Sequence, residues 1–254
     1  MNQLVLVAVL ATAPAASAEL TAEQIAKQAL NNNMFSTANA QADVNLTMSK
    51  NGKVVRERRI ITKVLRTDGE VRSFVEFTSP SDVAGTRFLS VEEKGGDADQ
   101  YIYLPAFKKV KRVVGSQRTR SFMGTDFSYA DLDGRDPDAA TYKRLADDKI
   151  GGQDCYVLEA TPKHPQNEDY GKSVVWVHKK HLIPMRIDFY GKKGATVKKR
   201  FTVRRLEKKD GRWVATDSKM ATLSRSTATQ LVLVKVDFDQ AIDPADLTRQ
   251  ALER

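Results

Sequence analysis

Alternation of apolar and polar residues sets the character of this chain. Ala42, Val44, Leu46 and Met48 occupy every second position, the period of a strand with one dry and one wet face. Lys50-Asn51-Gly52-Lys53 then supplies a two-residue hairpin turn, so strands are predicted over about 41–50 and 53–66. Turn signals recur at Asp68-Gly69, Ser79-Pro80, Gly95-Gly96, Gly151-Gly152, Gly191 to Gly194 and Asp210-Gly211, with β-branched and aromatic residues between them. That punctuation predicts one long antiparallel meander. Its later strands are expected at Val174 to Val177, Met185 to Tyr190, Thr196 to Leu206, Trp213 to Leu223 and Leu231 to Phe238.

Helical spacing occurs at two places. Thr21-Ala-Glu-Gln24 matches a capping box, and Ile25, Ala29 and Leu30 keep an apolar face until Asn31-Asn32-Asn33 stops it. Near the end, Asp243-Pro244 pairs an N-cap with proline at the first helical position and predicts a short helix to about Leu252. No βαβ pattern and no internal repeat is found. The strands have one apolar and one strongly charged face, and their intervals are long. The expected fold is therefore mainly β, an unclosed, half-barrel antiparallel sheet of long curved strands around an interior. Residues Gly115 to Ala140 follow neither period; they mix Gly, Ser, Asp and aromatics, as a lid or mouth loop between strands would.

The first residues change the picture of where such a sheet would work. An apolar run from Leu4 to Ala11 leads through Pro14 to Ala16-Ser17-Ala18, just before Glu19. This pattern predicts a secretory signal peptide, residues 1–18, cleaved after Ala18, and it is far short of the roughly 20 apolar residues a membrane span needs. Residues 19–254 are then expected to form a single domain in the periplasm. The lone cysteine, Cys155, is not at the processing site, so no lipid anchor is expected and no internal disulfide can form. Lys plus Arg exceed Asp plus Glu by 41 to 32. In an exported protein that surplus points to anionic lipid surfaces or an acidic protein partner before nucleic acid, with a merely solvated basic surface as the alternative.

Catalytic sets are missing. There is no Gly-x-Ser-x-Gly elbow, no HExxH and no P-loop. Among the histidines, His178 and His181 flank Lys179 and Lys180, a poor setting for a cation and one that reads as surface. Cys155 lies in a predicted strand and reads as a buried structural thiol. Asp131, Asp133, Asp136 and Asp138 alternate like calcium ligands. They lack the terminal bidentate Glu and are interrupted by Pro137, so a solvated acidic loop is expected. No enzyme activity, cofactor or metal is expected.

Two features remain. The run Lys108, Lys109, Lys111 and Arg112, continued by Arg118 and Arg120, alternates around Val110 and Val113, so several cations are expected on one strand face. They are candidates for contact with lipid headgroups or a partner, or form a solvated outer face. Phe107, Phe122, Met123, Phe127 and Tyr129 cluster in and beside the irregular segment, where adaptable apolar side chains suit a flexible apolar ligand or ordinary packing of a loop over a sheet.

Several stretches resemble a known family, the LolA-like outer-membrane lipoprotein-sorting proteins, and within it the branch often encoded beside resistance-nodulation-division type lipid exporters. They are Phe77-Thr-Ser-Pro80-Ser-Asp82-Val-Ala-Gly85-Thr86, Tyr101-Ile-Tyr103-Leu104-Pro105-Ala106, Lys109-Val-Lys-Arg112 and Ser121-Phe122-Met123-Gly124-Thr125-Asp126-Phe127-Ser128-Tyr129, with Tyr156 to Leu158 and Trp176-Val177 fitting the later pattern. The Phe-Met-Gly-x-Asp-Phe string is the specific one. The resemblance implies an unclosed barrel with a covered apolar concavity and non-enzymatic transport of lipid or acylated cargo. It also implies an inner-membrane exporter of that type and an outer-membrane acceptor as partners. On that footing Phe107, Phe122, Met123, Phe127, Tyr129, Tyr101 and Tyr103 are the candidate lipid-binding or lid residues, and Asp126 is a candidate lid anchor through backbone amides or a local cap. The expected form is a monomer that binds no nucleic acid.

Overall fold

The computed structural model describes residues 19–32, 39–67, 70–93, 98–133, 136–164, 170–194 and 196–254. The expected signal peptide lies outside the described residues. The helix α1 spans Ala22–Asn31, and its capping box is realised: the Thr21 hydroxyl accepts from Gln24 N, while the Gln24 side chain accepts from Thr21 N at 2.9 Å.

Short 3-10 turns apart, the rest of the regular structure consists of strands. They are β1 (Ala40–Lys50), β2 (Lys53–Thr67), β3 (Glu70–Ser79), β4 (Arg87–Glu93), β5 (Asp99–Leu104), β6 (Lys109–Val113), β7 (Ala140–Ile150), β8 (Gln153–Pro162), β9 (Lys172–His178), β10 (Pro184–Tyr190), β11 (Val197–Lys209), β12 (Arg212–Thr222) and β13 (Thr227–Phe238). All thirteen join one open antiparallel sheet in the order β6-β5-β4-β3-β2-β1-β13-β12-β11-β10-β9-β8-β7. In β1 the burial alternates along the strand as the apolar spacing predicts.

The single meander expected from the turns is instead two meanders joined at a seam. β1 pairs with β13 along its whole length, from Ala40 opposite Phe238 to Lys50 opposite Thr227. The reason is a shared apolar face: Leu46 opposes Leu231 and Val44 opposes Leu233, so the first and last strands bury each other's dry side. As a consequence β6 and β7, consecutive in sequence, become the two opposite edges of the sheet. Residues 114–139 must travel from one edge to the other.

That crossing segment covers one face, hereafter the inner face, over the half of the sheet around β1 to β6. Phe122 enters a cluster with Ala42, Val44, Leu46, Ile60, Phe77, Phe88 and Ile102, and Met123, Tyr129 and Leu132 pack against it. At the far end α1 lays Ile25, Ala26 and Ala29 on Leu158 and Val177. The opposite face of β2 to β6 is covered by the C-terminus, where Leu247 and Leu252 pack with Leu65, Phe74 and Leu89. The expected C-terminal helix is absent; only two 3-10 turns form, Pro244–Asp246 and Ala251–Glu253. Its carbonyls are taken by the sheet: Arg72 donates to Pro244 and Leu247, and Arg87 donates to Leu252 and Arg254. Two arginines and two buried leucines fix an irregular path that a helix could not follow.

Candidate functional site

The covered inner face is the candidate site, and the crossing segment is built as a tight reversal. Ser121 and Ser128 form a bridge, Phe122 N donates to Phe127 O at 2.7 Å, and Thr125 N donates to Phe122 O at 2.9 Å. The two central residues, Met123 and Gly124, have φ of +50° and +78°. Such a turn requires positive φ at both central positions, which is why a glycine stands there. It presents Phe122 downward, with ring centroids 5.7 Å from Phe77, 5.2 Å from Phe88 and 5.4 Å from Tyr129.

Polar contacts at a few points hold this cover. Asp126 is buried and accepts from the Thr227 hydroxyl at 2.5 Å and the Thr229 hydroxyl at 2.9 Å, while its own N–H donates to Thr229. It thus anchors the segment to β13 through side-chain hydroxyls, not through the backbone amides or local cap that the sequence suggested. Buried Arg58 donates to the carbonyl of Met123, the residue with positive φ, and lies 5.3 Å from the Phe77 ring. Burial, with Arg56 beside it, holds the Arg58 guanidinium below its ordinary pKa.

Two further aspartates serve the same end. Asp131 pairs with Lys199 on β11 at 2.9 Å, accepts from the Tyr170 hydroxyl at 3.0 Å and caps Ser128 N at 2.8 Å. Asp133 accepts from Gln100 on β5 at 2.5 Å and pairs with Arg118. Burial pushes the Asp133 carboxyl up to about 6 against the opposing pull of Arg118 and Gln100. The expectation of a solvated acidic loop is therefore corrected: these two carboxylates point inward and tie the cover to opposite halves of the sheet.

The structure separates the sequence candidates into groups. Phe122, Met123 and Tyr129 meet over the same apolar floor. Phe127 turns to the next cluster, beside Tyr170, Phe189 and Met220. Tyr101 and Tyr103 lie on the opposite face, under the C-terminus, because they alternate with Gln100 and Ile102 along β5. Phe107 is 63% exposed, with Lys111 Nζ 5.1 Å from its ring. The basic run does not share one face: Lys109 and Lys111 oppose Leu104 and Ile102, whereas Arg112 opposes Tyr101 and pairs with Asp99. Lys108 occupies a left-handed turn before the strand. Arg118 turns inward to Asp133 and the Ala98 carbonyl, and Arg120 stays exposed.

Other expectations shift in the same way. His178 is buried, not on the surface; its Nδ1 accepts from Lys180 N and His181 N, and its ring stacks on His181 at 4.7 Å. Cys155 is fully buried, and burial pushes its thiol up. Sequence reading missed Arg58, Gln100, Lys199, Thr227 and Thr229. The available signal was a polar residue at an otherwise apolar alternating position, as Arg58 is two before Ile60.

Two cavities open where the tip of the cover meets the sheet. One, of about 450 Å³, lies between the segment and β11–β12, with Thr119, Arg120, Phe127, Lys198 and Thr222 in its wall. The other, of about 430 Å³, lies over β1 and β2, with Met48, Lys50, Val55 and Arg56. Both include Ser121, Thr125, Asp126 and Arg225.

An open antiparallel sheet with one apolar face under a helix and a pinned, strandless cover places the chain in the unclosed-barrel class. Comparison with known proteins gives the family. A domain from Vibrio parahaemolyticus, described as outer membrane lipoprotein-sorting, superposes with a TM-score of 0.84 at 30% identity, covering 92% of this chain and 98% of its own. A DUF1329 family protein from Desulfovibrio piger follows at TM-score 0.80 and 29% identity, over 91% of this chain and 98% of that one. A LolA superfamily protein from Nitrosomonas europaea shares the fold, with a TM-score of 0.71 at 18% identity over 92% of this chain and all of its own. A family profile described only as uncharacterized protein-like matches residues 69–254. No curated protein matches. The chain belongs to the outer-membrane lipoprotein-sorting protein family, and its fold is LolA-like.

Proposed function

We propose that this protein is a non-enzymatic periplasmic carrier of lipid or acylated cargo, held on the inner face of the sheet where the crossing segment now lies. The supporting observation is the cover itself. Phe122, Met123, Tyr129 and Leu132 occupy an apolar floor, yet the segment is held by a few polar anchors in place of a strand ladder.

The energetics of exchange fit that role. Full burial of four such side chains is worth roughly 6–12 kcal/mol in all, taking about 1.5–3 for each. This is an upper bound, because only Phe122 is fully buried while Met123, Tyr129 and Leu132 are half-buried. A sixteen-carbon chain buried at about 0.8 kcal/mol per methylene gains on the order of 10 kcal/mol. Cargo displacing the cover is then a nearly balanced swap, so uptake does not preclude release. A carrier so balanced takes its direction from a donor and an acceptor. On this reading the chain is cleaved after Ala18, residues 19–254 work as one monomeric domain, and an inner-membrane exporter of the resistance-nodulation-division type and an outer-membrane acceptor are its partners. The name borne by the Vibrio relative supports the cargo class.

Purified protein extracted into organic solvent and analysed by mass spectrometry should yield bound lipid, and Phe122→Ala should speed uptake of a fluorescent acyl probe. An empty protein that takes up no probe in either form would sink the carrier reading. One observation favours a second reading: the Phe122 group already fills the floor, as it would in an adaptor that binds a membrane protein and uses the sheet as scaffold. That adaptor would show unchanged probe uptake in the Phe122→Ala form.

A further inference from the structure

Cations outnumber carboxylates around the tip of the cover. The walls of the two cavities contain Lys50, Arg56, Arg120, Lys198, Lys199 and Arg225 but one carboxylate, Asp126. Lys199 is neutralised by Asp131. The other five form no ion pair among the described residues; what sets them apart from the other unpaired cations of the sheet is that they gather around one concavity. Asp126, whose two oxygens accept from Thr227 and Thr229, offsets one of the five, which leaves a clear positive excess. Uncompensated like charges gathered around a concavity raise its potential and draw anions.

The surroundings narrow the anion. Thr222 and Ser224 line the first cavity with hydroxyls that can donate to oxyanion oxygens, the buried Thr222 hydroxyl having no partner among the described residues, whereas those of Thr119 and Ser121 already donate to Ser116 O and Thr125 O. Its volume, about 450 Å³, falls in the range of small-molecule sites. Apolar residues stand on the same rim: Val55, in the wall of the second cavity, is 63% exposed, and Leu223, next to Ser224, is 42% exposed. Asn51 N donates to Ser226 O at 2.8 Å, so the β1–β2 turn and the β12–β13 turn sit side by side. Cations, hydroxyls and exposed aliphatics at the mouth of a covered apolar floor suit one ligand chemistry, a phosphate monoester or diester on an apolar tail.

We infer that the paired cavities at the tip of residues 121–128 bind the phosphate of an anionic lipid headgroup, with Arg56, Arg120 and Arg225 as its principal contacts. This rests on the carrier reading for the tail and adds the headgroup class. It also moves the headgroup from the β6 run to the opposite side of the cover, since neither cavity includes Lys108, Lys109, Lys111, Arg112 or Arg118.

The test compares wild type with an Arg120→Gln/Arg225→Gln variant, both substitutions being at exposed positions. Four probes are titrated into each: lysophosphatidylglycerol, an uncharged fluorescent acyl amide of the same chain length, glycerol phosphate and inorganic phosphate. Loss of two charge-assisted contacts should weaken lysophosphatidylglycerol binding by about tenfold or more, and the uncharged probe should bind both forms alike. Lysophosphatidylglycerol affinity that is equal in the two forms overturns the headgroup site while leaving the carrier reading intact. Failure of the uncharged probe in both forms, with glycerol phosphate bound by wild type and lost in the variant, keeps the anion site and removes the carrier. Inorganic phosphate bound as tightly as lysophosphatidylglycerol overturns the lipid assignment in favour of a free phosphate.

Discussion

Asp133 shows how a single carboxylate can report on the cover. It is buried between Gln100 and Arg118, with its pKa raised from 3.8 to about 6, chiefly by burial. A carboxylate with a folded pKa above its unfolded value binds its proton more tightly in the native state. Its contribution therefore favours the fold as pH falls through about 6 towards 4 and costs stability above that window, by on the order of 3 kcal/mol at most. His178 and His181 act in the opposite sense, because burial lowers both and their protonation below the ordinary value disfavours the fold. The comparison must then be between wild type and Asp133→Asn. Thermal melts at pH 7 and pH 5 should show wild type gaining relative to the variant as pH falls, and parallel shifts in both proteins would refute the assignment. No sequence period could have announced this residue, since Asp131 and Asp133 read as a polar loop until the sheet's two halves are placed around them.

The crossing segment covers the inner face, and its most demanding backbone conformation is the Met123-Gly124 turn. A Cβ on Gly124 would meet Arg56 Nη1 at 3.9 Å, an ordinary contact, so only the backbone at φ +78° opposes substitution. Gly124→Ala should cost about 1 kcal/mol in urea unfolding. The loss should fall locally, seen as faster protease cleavage within residues 114–139 with the rest of the sheet still protected. Unchanged cleavage there would mean that the turn is not what keeps the cover closed. The irregular composition from Gly115 to Ala140 made a loop legible, as did the Phe-Met-Gly-x-Asp-Phe string. Its anchors were not legible, because Thr227, Thr229 and Lys199 lie far along the chain and look like ordinary strand residues.

An open thirteen-stranded sheet leaves two edges, and β6 is one of them. An exposed edge invites pairing with another chain, and charge on it is a common protection. Lys109 and Lys111 are exposed on that strand, which gives the basic run a role independent of any ligand. Lys109→Thr/Lys111→Thr should promote concentration-dependent association in light scattering, with little change in the melting temperature of dilute protein; a variant that stays monomeric at high concentration would remove this account. At this scale the sequence by itself determined that the chain forms long antiparallel strands with one dry face, that a capped helix precedes them, and that the stretch before β7 is not a strand. Those properties follow from local periods and turn chemistry, which act between near neighbours. Only the tertiary structure decided the seam between β1 and β13, the placing of consecutive strands β6 and β7 on opposite edges, and the consequent passage of residues 114–139 across the inner face. The same long-range pairing sent Tyr101 and Tyr103 to the other side and gathered Arg56, Arg120 and Arg225 at one mouth. Which apolar faces bury each other depends on the whole chain closing up, and no local pattern carries that information.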